Sequence, residues 1–261
     1  MTYTESEIFN RTQRLLGENA MHALAEASVI IFGIGGVGSW TAESLIRTGI
    51  RKLTIVDADN VAVSNINRQV PATTLTVGES KVEAMRRHLL QINPHAEITA
   101  INRRYSAETA SDFNLDEFDY VIDAIDSLSD KALLILNATH ATRPKLYSSM
   151  GAALKIDPTR IQVAEFWKVK GCRLAATLRN KFKRNKQFPS RKFQCVFSDE
   201  LLANLGDTDS APIETTGSQQ CASSPMHFNK VAINGSLCHI TAIFGLTIAG
   251  LLMQNLISRR P

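Results

Sequence analysis

Residues 28–32, Ser-Val-Ile-Ile-Phe, form a short β-branched apolar run followed by glycines, the pattern of a buried strand. Before it, residues 5–27 place apolar positions at helical spacing and predict an amphipathic helix. After it, the spacing predicts a helix over about 39–48, capped by Gly49. A second strand is expected at 52–59, and 60–78 reads as a polar loop without periodicity. A helix follows over 79–93, with Glu79 or Ser80 near its start and Asn93-Pro94 ending it. Strands are expected at 97–105 and 118–126, a helix at 129–142 and a further strand at 145–153. Strands alternating with helices predict an α/β fold: a Rossmann-like, doubly wound and mostly parallel sheet, with a basic insertion and a C-terminal extension. Residues 231–257 are apolar and long enough to cross a bilayer, yet include Asn234, Gly235, His239, Gly245 and Gly250. We therefore expect a buried core or dimer-interface helix rather than a membrane span.

Composition narrows the class. With 44% hydrophobic and 21% charged residues among 261, the chain has material for a real core. None of its four cysteines, Cys172, Cys195, Cys221 and Cys238, forms a C-x-x-C pair, which excludes a zinc clip of the two-pair kind. Cys195 and Cys238 sit among apolar residues and are expected in the core. The start of the chain is polar, and reduced thiols in a cytoplasmic protein are the expectation. The net charge of +4 matters less than its distribution. Residues 168–193 hold ten Lys and Arg, and no Asp or Glu falls between Phe166 and Ser198. Interleaved with Phe182, Phe188 and Phe193, these cations fit contact with a phosphate backbone, although most charge runs are only solvated faces. Residues 206–224 are rich in Ser, Thr, Gly and Pro and read as a mobile loop.

The stretch IFGIGGVGSW carries the chemistry. Gly33, Gly35 and Gly38 fit G-x-G-x-x-G, with Gly36 as an additional glycine, between a predicted strand and a predicted helix. Such a turn brings backbone close to phosphates at a helix N-terminus, so NAD, FAD and ATP are all open at this point. Asp57, about twenty residues on, suits ribose hydroxyls in any of them. The following segment adds Asp59, Asn65, Asn67, Arg68 and Gln69, then Lys81, and later Asp126 and Ser127 at a strand end. Two cations and an extra carboxylate exceed what hydride transfer needs. They suit a triphosphate whose oxygens are neutralised by Arg68 and Lys81 while Asp126 holds Mg²⁺.

The motifs GIGGVGS, VDADNVAVSNINRQ, VGESK and DAIDS, in this order and spacing, resemble the adenylating domain of the ubiquitin-activating-enzyme superfamily, which includes the adenylyltransferases of molybdopterin and thiamine biosynthesis. FNRTQRLLGE, GAALKIDPTRIQV, LAATLRNKFKR and CVFSDE resemble its tRNA threonylcarbamoyladenosine dehydratase branch. The resemblance covers nearly all of 8–257. It implies a single adenylating domain over 1–261, with a nucleotide-binding half, 1–153, and a substrate-binding and dimerisation half, 154–261. It further implies that Asp57 binds ribose, Arg68 and Lys81 the phosphates and Asp126 Mg²⁺, and that Arg11 enters the site from the other subunit of a homodimer. Cys221 lies in a Cys-Ala-Ser sequence that the branch places near an essential position. The implied reaction is ATP-dependent cyclisation of N6-threonylcarbamoyladenosine at tRNA position 37 through an acyl-adenylate. Lys181, Lys183, Arg184 and Lys186 would then grip the tRNA.

Two other readings use the same residues. One is adenylation of a ubiquitin-like sulfur carrier's C-terminus, with a sulfur-carrier or cysteine-desulfurase system as partner. The other is an NAD-binding oxidoreductase or a nucleotide-sensing module, which leaves Arg68, Lys81 and Asp126 without a task.

Overall fold

The computed structural model describes residues 3–206 and 234–258. Three short helices open the chain: α1 (Glu5–Ile8), α2 (Asn10–Leu16) and α3 (Glu18–Glu26). There follow β1 (Ser28–Phe32), α4 (Gly36–Thr48), β2 (Lys52–Val56), α5 (Lys81–Ile92), β3 (Glu97–Ile101), β4 (Tyr120–Asp123), α6 (Leu128–His140) and β5 (Lys145–Ser149). The remainder is β6 (Ile161–Glu165), α7 (Arg173–Asn185), β7 (Gln194–Ser198) and α8 (Cys238–Ser258).

The sheet runs β3-β2-β1-β4-β5-β7-β6, and every pairing is parallel except β6 with β7. The period-two alternation of the buried strands splits the core. Val29 and Ile31 point into one cluster with α4, α5 and α8; Ile30 and Phe32 point into the other with α6 and α7. Burial on both faces explains why the central strands read as continuous apolar runs. Strand order reverses between β1 and β4, so a crevice opens at their carboxyl ends, where ligands of open α/β sheets bind.

The observed elements differ from the sequence pattern in instructive ways. The helix expected over 5–27 is broken at Phe9 and at Gly17, whose φ is 78°. Helix α4 starts at Gly36 rather than 39, because packing against Thr241 overrides glycine's poor helix propensity. Gly49 caps it as expected: at φ 114° its N–H reaches the Ile46 carbonyl while Ile50 N–H reaches Leu45. Strand β2 ends at Val56, before Asp57 turns into the crevice. The basic segment contains α7, whose Ala175, Leu178 and Phe182 are buried.

Helix α8 is long and apolar enough to cross a membrane, and its Ile240, Phe244, Ile248 and Leu252 lie in the protein's own core. It crosses α4 so closely that a Cβ on Gly245 would stand 2.5 Å from the Val37 carbonyl oxygen. Thr41 Oγ1, 3.2 Å from the Gly245 carbonyl, donates across the crossing. Cys238 departs from expectation: it begins α8 and is exposed, because the apolar face of the helix starts at Ile240.

Candidate active site

The glycine turn is built by two residues that have no room for a side chain. A Cβ on Gly38 would lie 1.8 Å from the Gly33 carbonyl oxygen. Gly33 has φ 91°, and its Cβ would lie 2.6 Å from the Ala124 carbonyl oxygen. Gly36 faces Thr241 of α8 at 3.0 Å, so it serves helix packing. Gly35 is different, since a Cβ there would find only Gln69 Nε2, at 4.0 Å. Gly35 is also the N-cap of α4 and offers no side-chain cap, leaving the first N–H groups of the helix available to an anion.

Asp57 folds back over this turn. Its carboxylate accepts from Ile34 N–H at 2.7 Å and from Asp59 N–H at 2.9 Å. Burial pushes its pKa above the ordinary aspartate value; Lys81 and the two N–H donors oppose that rise. Lys81, the first residue of α5, is buried, and its Nζ lies 2.7 Å from Asp59 Oδ2, which is largely exposed. The loop between β2 and α5 arranges the rest. Asn65 Oδ1 accepts from Ala62 N–H, and Arg68 Nη1 donates to Ser64 O and Asn67 Oδ1. Asn67 Nδ2 donates to Ser236 O, just ahead of α8, while Trp40 Nε1 of α4 donates to Arg68 O. Gln69 is buried beside Gly35, and its Oε1 has no hydrogen-bond partner among the described residues.

Across the strand reversal, Asp126 is exposed on the β4–α6 connection and makes no hydrogen bond or ion pair with the described residues. Ser127, the N-cap of α6, lies 3.3 Å from Ser129 through its hydroxyl. No group of three or more His, Cys, Asp or Glu suited to a metal occurs among the described residues. An open single carboxylate fits Mg²⁺ all the same, because Mg²⁺ on a nucleotide commonly takes one or two carboxylates and completes its shell with phosphates and water.

The sequence matches the model of the ThiF family over residues 9–260. The chain belongs to the ThiF family. It is 35% identical over 257 residues to the tRNA threonylcarbamoyladenosine dehydratase of Escherichia coli, covering 96% of this chain and 94% of that protein. The dehydratase of Bacillus subtilis is 38% identical over 192 residues, 74% of each chain. The crystal structure of the E. coli enzyme in complex with ATP superposes with a TM-score of 0.82 at 32% identity, covering 99% of this chain and 98% of that one.

Arg11 is exposed on α2 and makes no hydrogen bond or ion pair with the described residues. Cys221 lies outside the described residues. Cys195 is buried on β7, and burial pushes its thiol well above the ordinary value, which makes it an inert core residue. On the basic segment, Lys183, Arg184 and Lys186 are exposed and Lys181 is half-buried. The aromatics expected between them divide. Phe182 and Phe193 belong to the core, both packed on Phe166, because the period of α7 turns Phe182 inward. Phe188 stays exposed, 6.2 Å from the half-exposed Trp167. Arg191 is taken up by carbonyls at the end of α6, including Thr139 at 2.9 Å and Thr142 at 3.0 Å.

Three further groups near the site belong to no motif in the sequence. Arg104 grips Asp130 of α6 at 2.6 Å beside the crevice. Trp40 holds the Arg68 carbonyl. Lys131 forms a fully buried ion pair with Asp123. The one available signal was a lysine directly before the apolar run Ala-Leu-Leu-Ile-Leu of α6.

Proposed function

We propose that this protein is an ATP-dependent tRNA threonylcarbamoyladenosine dehydratase acting as a cytoplasmic homodimer. The observation that carries the reading is likeness over almost the whole of both chains to an E. coli dehydratase solved with ATP. The crevice supports it: the glycine turn and Asp57 stand on one side of the strand reversal and an unpaired carboxylate, Asp126, on the other.

In this reading the N–H groups at the start of α4 and the guanidinium of Arg68 meet the triphosphate. Lys81 adds a buried positive charge, oriented by Asp59. Asp57 has lone pairs left after accepting from Ile34 and Asp59, and these accept from the ribose hydroxyls. Asp126 holds Mg²⁺, which when bound neutralises phosphate charge. The threonyl carboxylate of the modified nucleoside attacks the α-phosphorus of ATP and expels pyrophosphate. The carbamoyl group then attacks the activated carbonyl carbon, closes a ring and expels AMP. Adenylation turns a poor leaving group into a good one, and the tethered nucleophile gains the rate advantage of an intramolecular step. Lys181, Lys183, Arg184 and Lys186 bind tRNA phosphates, while the modified base leaves its stack to reach the crevice. Arg11 completes the site from the partner subunit.

Mass spectrometry of tRNA nucleosides after incubation with protein, ATP and Mg²⁺ tests this: threonylcarbamoyladenosine should lose one water. An unchanged nucleoside, together with AMP exchange stimulated by a carrier protein ending in Gly-Gly, would favour the sulfur-carrier reading instead.

A further inference from the structure

A polar cluster lies beneath the connection that carries Asp126. Lys131, one turn into α6, and Asp123, at the end of β4, are both fully buried, with Nζ 2.8 Å from Oδ2. Ser148 of β5 donates to the same Oδ2 at 2.6 Å. The remaining hydrogen bonds converge on one residue. Ile125 N–H donates to Asp123 Oδ1 at 3.2 Å, and Lys131 Nζ donates to the Ile125 carbonyl at 3.1 Å. Both backbone polar groups of Ile125 are therefore fixed by the two members of one ion pair. Ile125 directly precedes Asp126. On the opposite side, the same connection abuts the glycine turn, since the Ala124 carbonyl fills the space where Gly33 would carry a Cβ.

A buried ion pair is a weak source of stability, because desolvation offsets most of the attraction and a well-packed neutral replacement often does as well. A role in holding geometry accounts for it better. We propose that Asp123, Lys131 and Ser148 form a positioning device that locks the connection over 124–127 and so holds Asp126 where its carboxylate would meet the metal of a bound nucleotide. Asp126 makes no hydrogen bond or ion pair of its own with the described residues, although the Arg104 charge acts on it, so its backbone position is set by the peptide before it. Outer contacts that orient a metal ligand are commonly worth roughly tenfold to hundredfold in metal affinity.

The inference rests on the metal role proposed for Asp126 but not on the identity of the acyl substrate. The test is titration of Mn²⁺, followed by electron paramagnetic resonance, into protein loaded with a non-hydrolysable ATP analogue. Asp123→Asn combined with Lys131→Met removes the pair without stranding a buried charge. The expected result is roughly tenfold to hundredfold weaker Mn²⁺ binding. Analogue affinity in the absence of metal should be unchanged, and the Ile125 and Asp126 amides of the ligand-free protein should exchange hydrogen faster. Parent-like Mn²⁺ affinity and exchange in the folded double variant overturn the inference. Should that variant not fold, Ser148→Ala reads the same property with only one hydroxyl deleted: weaker Mn²⁺ binding upholds the inference and parent-like binding overturns it. Asp126→Ala is the reference. Loss of Mn²⁺ binding there with parent-like binding in the double variant overturns only the positioning role, whereas parent-like binding in Asp126→Ala overturns the metal assignment itself.

Discussion

The crevice and the basic segment both carry cations, and they hold them in opposite ways. On the β2–α5 side of the glycine turn the charges are constrained. Lys81 is buried against Asp59, Asp57 is held by two N–H groups, and Arg68 is fixed by Ser64 and Asn67. On α7 the hydrophobic side chains go inward while Lys183, Arg184 and Lys186 stand in solvent without carboxylate neighbours in sequence. The first region suits one ligand in one pose. The second suits a polyanion met through many weak, salt-sensitive interactions. Chemistry needs fixed geometry, and capture of a large substrate does not.

That contrast can be broken by substitution, and the largest effect is expected in the turn. Gly38→Ala places a Cβ 1.8 Å from the Gly33 carbonyl oxygen. It should lower stability by about 3 kcal/mol or more, read by chemical denaturation. Asp126→Ala should leave the fold intact, as the carboxylate is exposed, but reduce ATP-dependent turnover by at least about 100-fold in a steady-state assay. The combined replacement of Lys181, Lys183, Arg184 and Lys186 with Ala should act in the other region alone. Binding of tRNA weakens while ATP affinity persists. The log–log dependence of tRNA affinity on salt flattens by about 0.7 to 0.9 for each phosphate that is no longer neutralised. An unchanged salt slope in filter binding would reduce α7 to a solvated face.

Two smaller effects are expected within the crevice itself. Burial raises the Asp57 pKa, so its carboxylate is protonated at a higher pH than an ordinary aspartate. A ribose acceptor disappears on protonation, and nucleotide affinity should therefore fall as pH drops through that raised value. Fold stability responds in the opposite sense at this residue. Protonation relieves the desolvated charge, so acid favours the folded state here. Calorimetric titration of ATP against pH, with Asp57→Asn as the pH-insensitive reference, measures it. Gly35→Ala meets nothing closer than Gln69 Nε2 at 4.0 Å, so stability should change by less than about 0.5 kcal/mol. Any loss of nucleotide affinity in that variant then reports approach of the phosphates to the backbone.

The strand–turn–helix around the glycines, the helices that separate β1, β2 and β3, and the helix that joins β4 to β5 were all legible in the local pattern of residues. Those features are local. A β-branched run, a glycine at a forced φ, or a carboxylate at a strand end is fixed by its immediate neighbours. The packing of distant elements settled the rest. Which glycine is structural and which is open depends on Ala124, Thr241 and Gln69, which are distant in sequence. The membrane-like composition of α8 became a core helix only because Gly245 lets it lie against α4. Phe182 and Phe193 moved from a charge run into the core because α7 and the residue just before β7 pack on Phe166. The Asp123–Lys131 pair had no sequence pattern, since its partners meet only when β4, β5 and α6 are assembled. Spacing encodes which way a residue points along its own element, but what it meets there is set by the packing of the elements against one another.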